Sequence, residues 1–290
     1  MDSYYGRPVI KEPVWKAEIP WYLFTGGLGG ASAALSAAAR VRGYELLAKR
    51  SIYIGAAADA VSPLLLISDL GRPERFLNML RVFKVTSPMS VGSWILGVSS
   101  AASSGSAFLN FIGRLRRTSD AARAVAAATG APLAVYTGTL LADTAIPVWH
   151  EARHELPFLF GSSAAASAGA AAAMAVPPAE AGPARRLAVG GALVENALML
   201  AMEKRLGLVG EPYHQREAGR YNKLAKACTL AGAAVLAVGR RSRFASVAGG
   251  ALLLAGEAAL RWSVFRAGFQ SARDPKYTVV PQRKRLNDHG

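Results

Sequence analysis

The feature that most constrains this chain is a run of eight apolar segments, each close to the ~20 residues that a bilayer requires. They run from Ile19 to Ala39, Ser51 to Ser68, Ser90 to Ile112, Ala121 to Asp143, Leu156 to Val176, Arg186 to Leu206, Tyr221 to Val238 and Phe244 to Phe269. In lipid the backbone polar groups must be satisfied inside the segment or in a closed barrel. The alternation of a barrel strand is absent, so the expectation is an all-α polytopic membrane protein with eight transmembrane helices. The break at Thr144 to Glu155 suggests two four-helix bundles, residues 18–143 and 155–269, followed by a polar C-terminal tail, 271–290. The mean hydropathy is only +0.22 because Ala and Gly fill the segments. Small residues suit helices that must approach closely where lipid removes the hydrophobic drive.

Charge is placed between segments. The connections after the first, third, fifth and seventh carry Arg40, Arg42, Lys49 and Arg50; Arg114, Arg116, Arg117 and Arg123; Arg185 and Arg186; and Arg240, Arg241 and Arg243. Only Glu45, Asp120 and Glu180 oppose them there. Short, basic loops mark the cytoplasmic side. That puts both termini on the extracytoplasmic face of a bacterial or archaeal cytoplasmic membrane. The net charge of +15 is explained by these flanks, with no nucleic acid as partner. The first eighteen residues are polar, and no cleavable signal peptide is expected.

Ionisable residues inside spans are costly, at least about 2.5–3.5 kcal/mol each on insertion scales, and read as functional by default. Three carboxylates qualify: Asp59, Glu195 and Glu257. They form a candidate buried proton path. Near the face with the longer loops lie Trp21, Tyr22, Tyr136, Asp143 and Arg72. Tyr136 and Asp143 are two helical turns apart and so share a side. His150 and His154 have a spacing suited to two ligands, but no further ligand is apparent, so no metal is expected. No histidine lies inside a span, which argues against haem. The single Cys228 excludes an iron–sulfur cluster made by this chain alone.

The connection after the second segment is dense in charge, Pro and Gly. It reads Ser68-Asp69-Leu70-Gly71-Arg72-Pro73-Glu74-Arg75-Phe76, and closes with Ser87-Pro88-Met89-Ser90-Val91-Gly92-Ser93-Trp94. Arg72 and Arg75 stand close enough to Asp69 and Glu74 to pair. With Ile19-Pro20-Trp21-Tyr22-Leu23-Phe24, the glycines that follow, and Tyr136-Thr137-Gly138-Thr139, this stretch resembles the polysulfide reductase membrane-subunit family, also called NrfD-like. The resemblance implies the membrane anchor of a respiratory molybdenum-enzyme complex. Such a subunit passes electrons between a quinone pool, menaquinone or ubiquinone, and a ferredoxin-like iron–sulfur subunit. That partner serves a molybdopterin catalytic subunit. The resemblance places quinone candidates at Tyr22, Trp21, Tyr136, Asp69 and Arg72. Residue chemistry adds Tyr136, Asp59 and Asp143 as proton-relay candidates, since quinone reduction consumes protons. A proton or solute transporter and a passive anchor are the alternatives.

Overall fold

The computed structural model describes residues 9–72 and 74–289; for residues 75, 77, 285, 286, 288 and 289 it describes the backbone alone. Among the described residues the chain is helical, with no strand. Eight long helices are α1 (Glu18–Val41), α2 (Glu45–Asp69), α4 (Pro88–Ile112), α5 (Arg116–Ala142), α7 (Leu156–Ala175), α8 (Gly182–Leu206), α9 (Arg216–Val238) and α10 (Arg243–Arg273). At 1.5 Å per residue these span about 30 to 46 Å. Five of them, α2, α4, α5, α7 and α10, are long and apolar enough to cross a membrane. The sequence reading expects eight spans. The other three helices are as long, but α1 is rich in Gly, Ala and Ser, and α8 and α9 carry charges such as Arg186, Glu203, Arg220 and Lys226.

The connections at one end are short turns. At the other end they contain structure: α3 (Glu74–Arg81) between α2 and α4, α6 (Pro147–Glu151) between α5 and α7, and a 3₁₀ helix (Gly207–His214) between α8 and α9. The final helix, α11 (Lys276–His289), follows α10 at this elaborate end. Two features add to the sequence reading. The charged connection after α2 is not wholly a loop, because α3 has apolar Phe76 and Leu80 one turn apart and folds onto α4. The polar tail is helical, and Tyr277 within it is buried.

Helices α1, α2, α4 and α5 contact one another in a ring, as do α7, α8, α9 and α10; α1 and α5 meet α7 between the rings. Glycines set these distances. A Cβ on Gly30 would overlap the Gly130 carbonyl, and one on Gly130 would sit 2.6 Å from the Gly30 oxygen. Backbones touch there because neither residue has a side chain, which maximises dispersion where no hydrophobic drive acts. Buried hydroxyls supply the rest: Ser36 Oγ donates to the Ala48 carbonyl at 2.7 Å, and Asn196 Nδ2 to Thr229 Oγ1 at 2.9 Å.

Pro63 lies inside α2 and has no N–H to give the carbonyl four residues back. That carbonyl belongs to Asp59, and Ser100 Oγ of α4 donates to it at 3.0 Å. A local defect in one helix thereby becomes a bond between two.

Two outcomes follow from this packing. Gly30→Val should force α1 and α5 apart and cost about 3 kcal/mol or more, read as a lowered unfolding midpoint of the detergent-solubilised protein. The second concerns α11, which is held by Lys276 Nζ donating to Glu211 Oε2 at 2.6 Å and Tyr277 Oη to the same oxygen at 3.2 Å. The Lys276 hydrogen bond holds Glu211 below its ordinary value of 4.5, and the same bond holds Lys276 above 10.5. The Glu211 contribution is present above the ordinary carboxylate value and lost as pH falls through the depressed one. The Lys276 contribution is present below its ordinary value and lost as pH rises through the raised one. Protection factors of α11 amides should therefore be highest at intermediate pH, and Glu211→Gln should remove the acidic limb.

Candidate functional site

At the elaborate end of the first ring, a cavity of about 50 Å³ lies beneath the turn that follows α2. The charged segment and the Ser-Pro segment build it together. Asp69 ends α2, and its Oδ1 accepts from the Lys16 backbone N–H at 2.9 Å, which pins the approach to α1 across the end of α2. Gly71 turns the chain with φ +68°, a conformation that favours glycine. Met79 of α3 then roofs the space.

The start of α4 accounts for the second segment residue by residue. Ser87 caps the helix by accepting from Ser90 N–H at 3.4 Å, and Pro88 takes the first turn, where no amide partner is needed. Ser90 Oγ donates to the Val82 carbonyl at 2.9 Å and accepts from Lys84 N–H at 3.0 Å, fixing the α3–α4 connection. Gly92 has no side chain because the Tyr136 ring occupies that place. Ser93 lines the cavity, and Trp94 packs edge-on against Phe83 with ring centroids 6.2 Å apart.

Tyr22 and Tyr136, 2% and 9% exposed, share the cavity wall. Among the described residues neither hydroxyl has a hydrogen-bond partner. Trp15 completes the aromatic wall and stacks on Trp149 at 5.6 Å. Trp149 is fully buried, donating from Nε1 to the Val264 carbonyl at 2.7 Å, with its ring seated against Gly268. The sequence reading leaves Trp149 in a connecting loop. The structure makes it the tie between the cavity and α10.

The other candidates lie elsewhere. Trp21 is 43% exposed and meets Trp262 edge-on. Arg72 is exposed and pairs with no acid among the described residues, and the side chain of Arg75 lies outside them. Asp143 caps the end of α5 and is exposed. His150 and His154 are exposed, and no cluster suited to a metal occurs among the described residues. Asp59 lies ten residues from Asp69 along α2, about 15 Å deeper. Its Oδ2 accepts from Ser99 Oγ at 3.2 Å and Ser103 Oγ at 2.8 Å, while Oδ1 has no partner and faces Gly29.

Glu195 and Glu257 are brought together in the second ring, apart from Asp59, and both are buried. Glu257 also accepts from Ser163 Oγ. Ser163 Oγ accepts in turn from Arg261 Nη1 at 2.9 Å. Arg261, 1% exposed, donates to the Phe160 and Leu23 carbonyls and lies 3.9 Å over the Phe160 ring centroid. Sequence reasoning missed Arg261. Its four-residue spacing from Glu257 on α10, which puts both on one helical face, was the available signal.

The family described as polysulphide reductase, NrfD, matches residues 9–205, from the segment before α1 through α8. A comparison with curated proteins found no match. With that family match over most of the chain, and helices able to span a bilayer, the protein belongs to the polysulphide reductase NrfD family of integral membrane subunits, which work within molybdopterin oxidoreductase complexes.

Proposed function

We propose that this chain is the quinone-reactive membrane subunit of a respiratory molybdopterin oxidoreductase complex. On this reading all eight long helices cross the bilayer as two four-helix bundles. A ferredoxin-like iron–sulfur subunit docks over the elaborate end and connects to the molybdopterin catalytic subunit. The observation that carries the reading is the cavity beneath the Asp69 turn, into which two buried tyrosines bring hydroxyls without partners. The basic turns at the opposite end favour the cytoplasm for that end, and hence an extracytoplasmic partner.

The lining suits a quinone headgroup. Ile19, Leu66 and Leu140 are apolar, and the polar groups are few and convergent. The space is smaller than the ~300 Å³ at the low end of ligand pockets. Two of its limits are Met79 and Met89, unbranched side chains that change rotamer readily. Their displacement widens the cavity without moving a long helix. A quinone, menaquinone or ubiquinone, would supply two-electron, two-proton redox chemistry. Tyr22 and Tyr136 would donate hydrogen bonds to its carbonyl oxygens. Trp15 and the aliphatic wall keep water out. Asp69, with Oδ1 already accepting from Lys16, exchanges a proton through its other oxygen at the solvent end.

A second reading, a proton or solute transporter, draws on the buried Glu195, Glu257 and Arg261. Proton or solute movement by the purified chain without its partners would favour it.

In membranes holding the assembled complex, Tyr136→Phe should lower quinol-linked turnover about tenfold or more, the effect of one lost charge-stabilising hydrogen bond. Reduction or oxidation of an artificial dye by the catalytic partner should not change. Gly92→Ala should give the same pattern, because it unseats the Tyr136 ring while keeping the hydroxyl. Unaltered quinol kinetics in both variants would leave a passive anchor as the better description.

A further inference from the structure

A second cavity, polar in its lining, lies at the end of the first ring opposite the tyrosines. It encloses about 690 Å³ between the α1–α2 and α4–α5 turns. Five cations line it, Arg40, Lys49, Arg114, Arg116 and Arg123, against the two acids Glu45 and Asp120. Both acids are already engaged. Asp120 takes Arg40 at 3.0 Å and Arg123 at 2.9 Å, and Glu45 takes Arg40. Lys49 and Arg114 have no anionic partner among the described residues. Arg123 is 4% exposed, yet its Nε has no hydrogen-bond acceptor. A buried guanidinium nitrogen without an acceptor in a cation-lined cavity is a costly arrangement for the protein alone.

We propose that this cavity binds a phosphate group, with Arg123 and Arg114 as its guanidinium donors and Lys49 as a further positive charge. A phosphate offers several strong acceptor oxygens to the planar fork of arginine. Its position at the helix ends, where an anionic lipid headgroup lies, allows the phosphate to come from lipid as well as from solution. Basic pockets between membrane helices take such headgroups. Arg40 is eighteen residues from Tyr22 on α1, about 27 Å along the helix. The site is therefore separate from the proposed quinone cavity and does not rest on that reading beyond the membrane setting.

The test uses the full chain purified in detergent, with native mass spectrometry reading retained phosphatidylglycerol or phosphatidylcholine, and calorimetry reading inorganic phosphate. Lys49→Gln with Arg114→Gln removes two exposed, unpaired cations and spares the Arg40–Asp120–Arg123 links. Wild type should retain phosphatidylglycerol over phosphatidylcholine, and this variant should lose about tenfold of that retention. Arg117→Gln with Arg241→Gln, two exposed arginines at the same end but outside the cavity, should lose little. Phosphate binding that the first variant abolishes, without lipid retention, supports the site and assigns it to free phosphate. Equal losses in the two variants, or no binding of either probe, would overturn the proposal.

Discussion

The structure depends on how closely α1 can approach its neighbours. In a bilayer, helices gain nothing by leaving apolar solvent, so contact must come from dispersion and interhelical hydrogen bonds. The Gly-Gly-Leu-Gly-Gly run solves this on several sides at once. Gly30 lies backbone to backbone with Gly130 of α5, Gly29 leaves room for Asp59 of α2, and Gly27 packs on Ala164 of α7. One helix therefore touches both rings. It also delivers Tyr22 to the cavity at one end and Arg40 to the basic pocket at the other. Any side chain on this face would separate α1 from the elements that complete its polar sites.

Helix limits were readable from apolar length, and the eight long helices lie where the eight apolar segments do. Tyr22, Tyr136 and Asp69, which the motifs single out, line one cavity. The candidates that do not line this cavity lie outside it for local reasons. Asp143 caps α5 just past Ala142 and is exposed there, whereas Tyr136 two turns earlier is buried. Trp21 is one residue from Tyr22, a rotation of about 100° that turns it away from the cavity. Arg72 follows the positive-φ turn at Gly71, which redirects the chain before the guanidinium can reach the cavity. Helical phase specifies a face, and only the packed neighbours decide what that face meets. For the same reason Trp149 and Arg261 were invisible as tertiary contacts. Their partners, Val264 and Trp15 for one and Phe160, Ser163 and Leu23 for the other, lie far away in sequence.

The buried ionisable groups use two different solutions to the cost of desolvation. Glu195 and Glu257 lie beside Arg261, whose opposite charge offsets their burial, and Ser163 links Glu257 to Arg261 by hydrogen bonds. Such clusters stabilise little relative to apolar packing, but removing one member leaves an uncompensated charge. Asp59 has serine hydroxyls and no cation. Serines can stabilise either protonation state by rotating their hydroxyls, whereas a fixed guanidinium favours the anion. Asp59 is thus the more adaptable of the two sites, and the paired glutamates the more rigid.

That contrast bears on proton movement in the first ring. Beyond the cavity, the next polar pair along α1 and α2 is Thr25 with Ser62. Ser62 Oγ approaches Thr25 Oγ1 at 2.8 Å and the Ala58 carbonyl at 2.9 Å, and Thr25 Oγ1 donates to the Trp21 carbonyl at 3.0 Å. These hydroxyls are tied to helix carbonyls, which accept but do not pass on protons. A relay from Asp59 to the tyrosines would have to break those bonds, while Asp69 already stands at the cavity's own end. On the proposed function, protons and electrons therefore enter and leave at the same face. Quinone chemistry in this ring then needs no charge to cross the membrane, and any transmembrane proton movement would fall to the separate Glu195–Glu257–Arg261 group.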